Sequence, residues 1–62
     1  MTSTTTRDEH RNAAEILRRA AEQQTGIARA RLLDNAADHY HGAGLSGFAG
    51  WCQRHADQAR NN

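Results

Sequence analysis

Ala21-Glu22-Gln23-Gln24-Thr25-Gly26-Ile27-Ala28-Arg29-Ala30 decides the fold. Upstream, Ala13, Ile16, Leu17, Ala20 and Ala21 fall on one face of a helix turning about 100° per residue, with Arg11, Glu15, Arg18 and Glu22 opposite. Carry the same wheel through without a break, and Ala30, Leu33, Ala36, Ala37 and Tyr40 gather on the side opposite the first apolar face. The stripe flips at Gln24-Thr25-Gly26. One rod would need different partners on its two sides; a turn is simpler. Gly26 suits the left-handed conformation that ends a helix, and Thr25 suits the cap of the next. The stretch is a helical hairpin.

Working outward, Thr6-Arg7-Asp8-Glu9 has the pattern of a capping box, which predicts a first helix over about 7–24. A second helix follows over about 27–41 and stops at Gly42-Ala43-Gly44. Leu45, Phe48, Ala49, Cys52, His55, Ala56 and Ala59 then recur at helical spacing, predicting a third helix over about 45–60. Gly47 and Gly50 weaken its first turn or admit another backbone. The chain has no valine and no proline, and its threonines sit in the first residues and at one turn. The expectation is an all-α domain over 7–60, a small three-helix bundle, with 1–6 and 61–62 as disordered tails.

Sixty-two residues allow one domain with a thin core. Such chains lean on disulfides, metals or association. Cys52 is the only cysteine, so no disulfide closes within one chain, and a lone thiol fits a reducing, cytoplasmic setting. Met1 to Thr6 lacks the apolar core of a signal peptide, and no run of about 20 apolar residues could span a bilayer. The net charge of +1 leaves no broad basic footprint for nucleic acid.

The residues able to carry chemistry are few. His39, His41, Cys52 and His55 are ligand types that zinc accepts, and Cys52 and His55 stand one helical turn apart. One cysteine with three histidines is an uncommon structural set, and the plainer reading is a core thiol with helix-end histidines. A Cys52–His55 pair lacks room for a substrate cleft, an oxyanion hole and an orienting group. No catalytic residue, cofactor or metal is therefore assigned.

The 21–30 stretch also resembles the turn region of helix-turn-helix regulators. Ala21 stands five positions before Gly26, where that family has four, and Glu22 takes a small residue's place. That resemblance implies a recognition helix carrying Arg29 and Arg31 to bases or phosphates. The favoured expectation is different: a non-enzymatic protein-interaction module, a small regulator, adaptor or assembly subunit, forming a homodimer or binding a protein partner. Tyr40, Phe48 and Trp51 are its contact residues, since aromatics concentrate at interface centres.

Overall fold

The hairpin and third helix are present. A computed structural model describes residues 2–61 and the side chains from Thr6 to Asn61. It contains α1 (Thr2–Glu22), α2 (Gly26–Gly42) and α3 (Ser46–Asn61), with no strand among the described residues. His10 in the first half of α1 meets His39 near the end of α2, so these two run antiparallel. Asp34 of α2 pairs with Arg60 of α3, and Tyr40 with Phe48, so α3 runs back along α2. Both α1 and α3 pack chiefly on α2, giving a small, flattened three-helix bundle with a Cα envelope of 42 × 18 × 11 Å.

The two breaks are local backbone chemistry. Gly26 has φ +61° and Gly44 has φ +77°, a region closed to most side chains. At the first, Thr25 holds the extended backbone of an N-cap, but no side-chain hydrogen bond caps the helix. At the second, Leu45 N–H donates to Tyr40 C=O (2.8 Å) and Gly44 N–H to His41 C=O (3.0 Å). This is the Schellman pairing, which satisfies carbonyls the helix end would leave bare.

Three expectations change. α1 begins at Thr2, so Thr6 and Glu9 lie inside a helix rather than at its cap. Threonine costs only a few tenths of a kcal/mol per helical position, too little to stop a propagating ladder. Residues 2–6 and Asn61, expected as tails, are therefore helical, while Met1 and Asn62 lie outside the described residues. The buried face of α1 is also rotated, by about 65° on the wheel. Ala14 and Ala21 are buried and Leu17 packs beside them, while Ile16 is 67% exposed. The last change is at Gly47, where a Cβ would meet open space, so no backbone approaches there.

The core explains the rotation. Among the described residues, eight of the eleven that are buried are alanine; the others are Leu33, Tyr40 and Cys52. Alanine seams let helix axes come close, and a branched Ile16 in the seam would hold them apart.

Candidate functional site

The most unusual surface lies where α2 turns into α3. The Schellman turn swings the chain so that Phe48, one turn into α3, stacks on Tyr40 with ring centroids 5.3 Å apart. Tyr40 is buried, 2% exposed, and serves as the floor; Phe48 above it is 54% exposed. Trp51 is three residues further along α3, hence on the adjoining face, and is 37% exposed. His55 follows after another turn, its ring 3.8 Å from that of Trp51. Of the three expected contact residues, Phe48 and Trp51 thus reach the surface, and Tyr40 supports them from below.

Sequence reasoning missed the two arginines of this site. The wheel puts Arg18 on the solvent face of α1; the rotation of that helix turns it toward α3 instead. Its guanidinium carbon lies 6.0 Å from the Trp51 ring centroid, within cation–π range. Its positive charge also acts on the Tyr40 hydroxyl, and Arg18 Nε is buried with no hydrogen-bond partner among the described residues. Arg54 folds back along α3, its Nη1 3.6 Å from where a Cβ on Gly50 would stand. Together these residues line an open cleft of about 620 Å³, walled by Arg18, Leu45, Phe48, Trp51 and Arg54, with Gly47 at its edge. Among the described residues, no carboxylate lines it. The ion pairs among the described residues involve Arg11 and Arg60, not Arg18 or Arg54.

Burial sets the titration here. It pushes the Tyr40 hydroxyl above its ordinary range, and the nearby charge of Arg18 only partly offsets that. The Cys52 thiol is likewise raised by burial, against the same arginine. Cys52 is fully buried and sits in the core cluster. A protonated, enclosed thiol is a poor nucleophile.

The other candidates do not converge. No group of three or more His, Cys, Asp or Glu among the described residues could hold a metal ion. His39 pairs with His10, and His55 lies on Trp51. Arg29 is half-buried beside a second, smaller cleft with Thr25, Gly26 and His55, while Arg31 is exposed. Two positions apart on one helix, they point about 200° from each other. The antiparallel hairpin that carries them differs from the near-perpendicular helix pair of a helix-turn-helix motif. Among the described residues, no helix is long and apolar enough to cross a membrane.

No protein-family model, curated protein or solved structure matches the chain.

Proposed function

We propose that the protein is a small non-enzymatic interaction module that binds a protein partner, or a second copy of itself, through the α3 surface around Phe48 and Trp51. The observation that carries this is their exposure: two large aromatics, 54% and 37% exposed, stand side by side on a bundle whose core is mostly alanine. Aromatics so placed are typical anchors of an interface, because they bury much area at little entropic cost.

A lone buried thiol supports work in a reducing, cytoplasmic compartment, as regulator, adaptor or assembly subunit.

The test is the mass of the native species by sedimentation, alone and with partners recovered by pull-down. A dimer or defined complex that dissociates in Phe48→Ala/Trp51→Ala agrees with the proposal. A well-folded monomer whose recovered partners all still bind the double variant overturns it.

A further inference from the structure

We infer that the partner presents an amphipathic helix to this cleft, setting a carboxylate between Arg18 and Arg54 and apolar side chains against Phe48 and Trp51. The inference rests on the interaction reading above and names the chemistry of the occupant.

Charge comes first. Arg18 and Arg54 flank an aromatic wall; among the described residues no carboxylate lines the cleft, and Glu15, one turn before Arg18 on α1, acts on Tyr40 from outside that lining. Neither arginine takes part in an ion pair among the described residues. A guanidinium offers a planar fork suited to a carboxylate, and removal from water strengthens that pairing.

The same charges argue against a second copy in this cleft. A two-fold contact sets a patch against itself. Two copies would then bring four arginines into one contact, with no carboxylate among the described lining residues, and such an accumulation of like charge is costly. Nucleic acid offers anions too, but the chain's net charge of +1 gives little attraction for a polyanion.

The shape favours a helix. Because α1 and α3 both pack on α2 and touch each other little, a groove remains between them, bridged at Arg18 and Trp51. In a four-helix bundle that position belongs to the fourth helix. Helices bind such grooves through apolar anchors at i, i+3 and i+4, and a carboxylate one turn from an anchor would reach the arginine rim.

A displayed library of random 16-residue peptides, selected on the full chain, tests this. Enriched peptides should carry Asp or Glu one turn from Leu, Ile or Phe and should alter Trp51 fluorescence on titration. Arg18→Gln/Arg54→Gln should weaken their binding roughly ten- to hundredfold, while Arg29→Gln/Arg31→Gln should leave it unchanged. Arg18 also acts on Tyr40, so Arg54→Gln alone, on the exposed side of α3, provides the arginine test if the double variant unfolds. Enrichment of apolar peptides without acids, indifferent to the arginine changes, overturns the partner chemistry and leaves the interaction surface standing. Enrichment no greater than on Phe48→Ala/Trp51→Ala overturns both. Retardation of a random 16-nucleotide DNA at physiological salt, abolished by the same arginine changes, overturns the peptide in favour of nucleic acid.

Discussion

The Nδ1 atoms of His10 and His39 stand 3.0 Å apart, joining the middle of α1 to the last turn of α2 across 29 residues of sequence. One imidazole must donate and the other accept. Gly42 makes room for this pair: a Cβ there would come within 2.9 Å of His10 Cδ2. The open end of the hairpin is therefore pinned by a three-residue fit.

Gly42→Ala should destabilise the protein, although alanine is ordinarily the better helix residue. To clear the new methyl, His10 must swing away and give up His39. In a His10→Ala background the clash disappears, and Gly42→Ala should instead stabilise by about 0.5–1 kcal/mol. A double-mutant cycle by urea unfolding reads the reversal of sign; equal effects in both backgrounds would refute the pin.

Leu33 and Ile16 should behave oppositely despite similar size. Leu33 is 2% exposed at the centre of the alanine core. Its loss in Leu33→Ala should cost about 2–5 kcal/mol, enough to unfold a domain of this length. Ile16 is 67% exposed, and Ile16→Ala in the isolated chain should change stability by no more than about 0.5 kcal/mol. Circular dichroism melts of the two variants compare them directly.

Alkali should unfold the protein. Tyr40 and Cys52 ordinarily titrate near 10 and 9, and burial raises both. A group held protonated by the fold contributes stability fully present below its unfolded-state value. That contribution is lost as pH rises through the folded-state value. Melting temperature should therefore fall above about pH 9, with the fall beginning later in Cys52→Ala. Tyr40 is the only tyrosine, so tyrosinate absorbance should rise together with unfolding rather than before it.

Arg60 bridges Asp34 of α2 and Asp57 of its own helix, the latter at 3.3 Å. The Arg60 and Asp34 side chains are both about two-fifths exposed. Water screens such pairs, so Asp34→Ala should cost no more than about 1 kcal/mol, and less in molar salt. A loss above about 2 kcal/mol, persisting in 1 M NaCl, would mean that Asp34 does more than pair a surface charge.

The helices and their breaks were legible in the sequence because they follow from neighbouring residues. The phase flip at Gln24 to Gly26 marks the hairpin since a continuous helix cannot turn its apolar stripe around. Gly26 and Gly44 take the positive φ that few other residues tolerate. Trp51 was legible as a surface aromatic, being at the edge of the α3 stripe, whereas Phe48 belongs to that stripe and its 54% exposure came only from the structure.

Tertiary structure alone decided which side of α1 is buried. On the wheel, Ile16 belongs to the apolar face and Ala14 lies outside it. Only the close approach of α1 to α2 along alanine seams favours the smaller residue and turns Ile16 outward. The same rotation carries Arg18 from the expected solvent face to the Trp51 ring, completing a cleft that no local pattern encodes. His10 and His39 likewise meet only once the hairpin has closed. Periodicity sets where each helix runs, but contact distances between helices set which of its faces is used.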